Sequence, residues 1–174
     1  MIYKPSFKVL EVNNLAGLRI GHVLAQQPAA DGIAKVTAFG DSYIENGIIV
    51  GLGKTGEIEN YDKTKHAMPF VHYTEEIITH LVGLDSFAVE VPKEAGEKAY
   101  PRCIGLYVGD AFTTDNVVKG AVDDGKLCYG KVVDGVINLE AAESADSMFI
   151  VNKTTMPAGG VGYECTYYKP AKAE

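Results

Sequence analysis

The chain has 174 residues, 47% of them apolar and 22% charged, a length that makes one domain able to bury its own core. Sixteen Lys and Arg against 23 Asp and Glu give a formal charge of −7, which argues against a nucleic-acid binder. With two arginines in all, Arg19 and Arg102, an arginine-built phosphate or carboxylate clamp is not expected.

Met1–Phe7 holds Tyr3, Pro5 and Phe7 without alternation and reads as the start of an extended arm spanning residues 1–12. Residues 1–24 carry Lys4, Lys8 and Arg19 against Glu11, a net of +2, so the remainder carries −9. Residues 13–168 read as a single β-rich domain. Strands are expected at Leu18–Ala25, Ala34–Phe39, Ile48–Leu52, Phe87–Val91, Ile104–Val108, Leu127–Val133, Val136–Leu139, Met148–Val151 and Val161–Tyr168, where apolar residues alternate or run between turn signals. Asp31-Gly32, Asn46-Gly47, Asp124-Gly125 and Asp134-Gly135 are dipeptides that suit two-residue hairpin turns, because both central residues need positive φ. Helical signals are limited to Thr74–Ile78, with an N-cap and two glutamates, where the β-branched residues equally suit a strand starting at Ile77, and to Glu140–Ser147, which lacks an apolar face. Lys93–Ala99 reads as a polar loop, and residues 169–174 (KPAKAE) as a flexible tail. The expected fold is mainly β: an antiparallel β-sandwich or barrel with one or two short helices and an extended N-terminal arm.

Cys103, Cys128 and Cys165 are an odd, sparse set inside apolar or alternating runs, so they are expected as free, buried thiols of a protein made in a reducing compartment. The first residues lack the apolar core of a signal peptide, and Ile48–Leu52 is too short to span a bilayer, so neither export nor a membrane partner is expected.

Several motifs invite chemical readings. Gly51-Leu52-Gly53-Lys54-Thr55-Gly56 approaches a phosphate loop, but Ile48 stands where its first glycine belongs, and Glu57, Glu59 and Asp62 follow instead of an apolar helix. His72, Glu76 and His80 fall four residues apart and would share one helical face. The two histidines would then lie about 12 Å apart along the axis, too far to hold one ion. His22 has no partner suggested by the sequence. Gly40-Asp41-Ser42 lacks the strand–elbow–helix context of an esterase nucleophile, and Leu15–His22 resembles the opening of a self-processing aminopeptidase without the nucleophile region that should follow. Cys103 beside Arg102 reads better as a strand cysteine than as a reactive thiol, since no histidine neighbours it in sequence. No catalytic, cofactor or metal site is assigned. Ten Tyr without a single Trp suit both sheet packing and contact surfaces.

Three runs carry a resemblance: Met68–Glu76 (MPFVHYTEE), Leu84–Ala88 (LDSFA) and Tyr100–Asn116 (YPRCIGLYVGDAFTTDN). Over roughly Asn46 to Leu139 the chain resembles the head decoration, or cement, proteins encoded beside the major capsid protein in tailed bacteriophages. That resemblance implies a β-rich, non-enzymatic virion structural protein on the capsid exterior, made in the bacterial cytoplasm. It also implies self-association, often as a homotrimer, with the major capsid protein as partner and neither nucleic acid nor membrane. The candidate capsid or subunit contacts are Tyr3, Lys4, Phe7 and Lys8 of the arm, with Tyr167 and Tyr168 near the C-terminus. Two other classes stand beside this reading: a small enzyme using the Gly-rich loop or the His/Glu face, and a glycan-binding host-attachment module using exposed Tyr faces.

Overall fold

The computed structural model describes residues 8, 10–14, 23–38, 41–74, 88–120, 127–156 and 160–169, with the backbone alone for 11–14 and 38. Among these residues every regular element is a strand, and the strands form three curled sheets. The seven-stranded sheet runs β1 (Leu10–Asn14), β10 (Ala111–Thr114), β15 (Val161–Tyr167), β14 (Phe149–Thr155), β12 (Cys128–Val133), β13 (Val136–Glu140) and β11 (Val117–Val118). The five-stranded sheet runs β2 (Val23–Leu24), β9 (Cys103–Gly105), β7 (Phe70–His72), β5 (Ile49–Leu52) and β6 (Ile58–Asn60). A three-stranded sheet holds β3 (Val36–Ala38), β4 (Asp41–Glu45) and β8 (Ala88–Val91). Neighbours are antiparallel except β11 and β13.

The mainly β expectation holds, and the expected helix at Glu140–Ser147 is corrected. Glu140–Ser147 leaves β13 through bends and a turn. The Glu140 carboxylate accepts the Ser144 hydroxyl at 2.9 Å, and the Ser147 hydroxyl accepts the Ser144 N–H at 2.8 Å. Serines that satisfy backbone groups locally compete with a helix, and this segment has no apolar stripe to repay one. Residues 75–78 of the other expected helix lie outside the described residues, as do Asp124-Gly125 and most of the expected strand at Leu18–Ala25.

Of the turn dipeptides, Asp134-Gly135 behaves as expected. Val133 pairs with Val136 around it, and φ is +50° at Asp134 and +80° at Gly135. Asn46-Gly47 instead passes the chain from β4 in one sheet to β5 in another, so it is not a hairpin. The hairpin of that region is β5–β6, around Lys54 and Thr55.

Alternation sets the core. Along β15, Tyr163, Cys165 and Tyr167 point inward while Glu164 and Thr166 are half-buried. They join Phe112, Phe149, Ile137 and Leu139 in the larger core, whereas Ile44, Val50, Ile58 and Cys103 build a second one. Phe149 is fully buried, edge-on to Phe112 at 5.8 Å and 5.7 Å from Tyr167. Phe149→Ala is therefore expected to cost about 3–5 kcal/mol in urea unfolding, through lost transfer energy and a cavity. A loss under about 1 kcal/mol would mean that the sheet collapses into the space.

The sheets interlock through backbone. Ile49 N–H donates to the Gly135 carbonyl at 2.7 Å, tying β5 to the tip of the β12–β13 hairpin. A side chain at 135 would stand 2.9 Å from Asn60 Oδ1, so the glycine serves the close approach as well as the turn.

Candidate functional site

The Gly-rich loop is the tip of the β5–β6 hairpin. Gly53 N–H donates to the Glu57 carbonyl at 2.9 Å and Gly56 N–H to the Gly53 carbonyl at 3.0 Å, so these amides do not face a phosphate. The glycines admit neighbours instead: a Cβ at Gly51 would fall 2.2 Å from His66 Cγ, and one at Gly53 would fall 1.9 Å from Glu59 Oε1. A carboxylate packed on the loop is the opposite of an anion site.

His66, which sequence reading passes over, is buried there. Its Nδ1 accepts the Asp62 N–H at 2.9 Å, so in the neutral ring the proton sits on Nε2, 3.8 Å from Glu59 Oε1. Nε2 is buried with no hydrogen-bond partner, yet as an N–H it offers no lone pair to a metal. Among the described residues no group of three or more His, Cys, Asp or Glu is arranged to hold an ion.

His72 is fully buried at the meeting of the sheets; Glu76, His80 and His22 lie outside the described residues. His72 Nδ1 donates to the Glu45 carbonyl at 2.8 Å, which makes Nε2 the acceptor of the Thr74 hydroxyl at 2.7 Å. That hydroxyl accepts the Arg102 N–H at 3.0 Å, and Asn46 exchanges two bonds with the Thr74 backbone. Asn116 Nδ2 then donates to the Asn46 carbonyl at 2.9 Å, bringing in the chain after β10. With both nitrogens committed, His72 is a neutral structural group, and burial holds its pKa down at about 4. No signal in the sequence separates it from a solvated histidine, because Val71 beside it in β7 is buried as well and the strand shows no alternation.

The cysteines are free and buried, as expected. Burial pushes the Cys103 and Cys165 thiols up, and no effect of the neighbouring Arg102 charge offsets this at Cys103. Cys128 and Cys165 both pair with Val151, on either side of β14. Two strand spacings, about 9.6 Å, exceed the Cα separation of about 7 Å that a disulfide tolerates.

The candidate contacts divide. Tyr3, Lys4 and Phe7 lie outside the described residues. Lys8 grips its own domain: its N–H donates to Glu45 Oε1 and its ammonium to the Asp115 carbonyl, both at 3.2 Å. Leu10 is 5% exposed within the larger core and opens β1, so residues 10–12 of the expected arm belong to the sheet. Tyr167 is likewise a core residue at 4% exposure, because it shares the inward parity of Cys165. Tyr168 faces the other way, 6.4 Å from the Tyr129 ring, with its hydroxyl donating to Glu143 at 3.0 Å.

A groove of about 760 Å³ separates β6 and the Asp62–Lys65 turn from the β12–β13 hairpin. Two of its lysines are paired: Lys63 meets Asp146 at 2.5 Å, and Lys65 meets Asp62 at 3.1 Å. Such a surface is polar and mixed in sign, without a focused field of either sign. No helix among the described residues is long and apolar enough to cross a membrane. No family model, curated protein or solved structure matches the chain.

Proposed function

We propose that this chain is a non-enzymatic virion structural protein that binds the outer surface of a bacteriophage capsid, made in the bacterial cytoplasm and self-associating as a homotrimer. The observation that carries the reading is how the residues behind the resemblance meet. Phe70–His72 pairs with Cys103–Gly105 as the β7–β9 ladder, and the Tyr107–Asp110 turn hands the chain on to β10. Asn116, whose N–H donates to Thr114 Oγ1, then closes the junction by donating its Nδ2 to the Asn46 carbonyl. The described parts of the first and third runs are thus joined in one unit, whose polar groups at the junction are spent on internal bonds. Such a unit suits a protein whose task is to hold a shape against a shell. A multivalent shell amplifies weak single contacts through effective concentration, which suits a small domain with paired surface charges.

The test is sedimentation of the purified chain with phage heads assembled without it. Co-sedimentation that saturates at a fixed number of copies per head is expected. A chain that stays in the supernatant at every concentration refutes the reading.

A further inference from the structure

We propose that Tyr100 and Arg102 form a preorganised contact pair that grips a carboxylate-bearing recess on the capsid shell protein. This rests on the capsid reading above and names its contact. Between Ala99 and Cys103 burial alternates residue by residue: Ala99, Pro101 and Cys103 are buried, while Tyr100 is 56% exposed and Arg102 is also exposed. Extended chain sends residues two apart to the same side, so the phenol and the guanidinium project together.

The display is fixed from behind. The Ala99 carbonyl accepts the Ala29 N–H at 2.8 Å, the Arg102 N–H donates to Thr74 Oγ1 at 3.0 Å, and the Arg102 carbonyl accepts the Tyr73 N–H at 2.9 Å. Pro101 adds a locked φ and is itself buried. The backbone cost of ordering this epitope is therefore met by folding, before any partner arrives.

Lys63, Lys65, Lys93, Lys98, Lys131 and Lys169 each hold a carboxylate of this chain. Among the described residues, no carboxylate pairs with the Arg102 guanidinium. Arg and Tyr are the side chains most enriched among those that dominate binding energy. The planar fork of Arg matches a carboxylate in two parallel bonds. A phosphate backbone is a poor match for a chain of net charge −7. The complementary occupant is an Asp or Glu beside an apolar recess that takes the Tyr100 ring.

The experiment is a titration of heads assembled without this chain, comparing wild type with Tyr100→Ala, Arg102→Ala and Arg102→Lys, and with Lys54→Ala at the exposed hairpin tip as control. Tyr100→Ala and Arg102→Ala are each expected to weaken binding by about tenfold or more, with Arg102→Lys between them and wild type and Lys54→Ala unchanged. All four should unfold at the wild-type temperature, because the substituted side chains are exposed. If wild type binds and the alanine variants bind within about twofold of it, the contact pair is wrong and the capsid reading stands. If wild type does not bind heads, both fall together.

Discussion

Acidification from about pH 6.5 to about pH 4 is expected to remove roughly 3 kcal/mol of stability through His72 alone. The folded ring, fully buried and bonded through both nitrogens, resists protonation until about pH 4, whereas the unfolded ring takes its proton near the ordinary 6.5. Between those values the unfolded state binds more protons, so stability rises with pH. The contribution is complete above about 6.5, is lost progressively as pH falls, and changes no further below about 4. Two other groups keep to different windows or signs. Asp62 is held down at about 2 by its Thr64 bonds, so its loss comes below pH 4. Burial of Glu45 raises its pKa, so the folded state gains protons there as pH falls, and the slope from Glu45 opposes that from His72. Urea midpoints of wild type and His72→Gln from pH 7 to 4.5 isolate the effect. The variant should start about 2 kcal/mol lower at pH 7, because the Glu45 carbonyl and Thr74 hydroxyl lose a fitted partner, and it should lack the His72 slope. Parallel pH profiles for the two proteins would show that His72 is not the titrating group.

Gly51→Ala is expected to cost about 3 kcal/mol, at the upper end of overpacking penalties. The added methyl would fall 2.2 Å from His66 Cγ, and the ring has nowhere to retreat. It is 6% exposed, held at Nδ1 by Asp62 N–H, and lies 5.8 Å from the Tyr61 ring, itself part of the larger core. The diagnostic measurement is a double-mutant cycle with His66→Ala. In that background the methyl enters vacated space, so Gly51→Ala should cost under about 1 kcal/mol, a coupling of about 2 kcal/mol. Additive losses in thermal or urea unfolding would mean that the glycine matters for β5 itself and not for the histidine above it.

These two cases show where local reading stops. The glycines at 51 and 53 look like a nucleotide loop because backbone freedom is the one property a sequence attaches to glycine. Their actual role depends on His66 and Glu59, which reach them only once β6 and the Asp62 turn are in place. Tyr167 and Tyr168 are chemically identical neighbours, yet the first is in the core and the second, one residue past β15, is half-buried against Tyr129. Lys8, read as part of a free arm, bonds to Glu45 and Asp115, 37 and 107 residues away. Nothing within the first twelve residues encodes that distance.

By itself the sequence determined the mainly β character, the inward parity of Tyr163, Cys165 and Tyr167, and the Asp134-Gly135 hairpin. It also determined that the three thiols are free. Each follows from period-two patterning or from local φ preference, which act over a few residues. Tertiary structure alone decided that Asn46-Gly47 joins two sheets rather than two hairpin strands, that His72 is neutral and spent on bonding, and that Tyr100 and Arg102 stand out together. Those outcomes arise where distant segments desolvate one another. A buried imidazole or an unpaired guanidinium is defined by what packs around it, and that neighbourhood exists only in the folded chain. The charge of −7 shares this division: its sign is legible from composition, but which of the described lysines are paired with carboxylates is settled only by the folded chain.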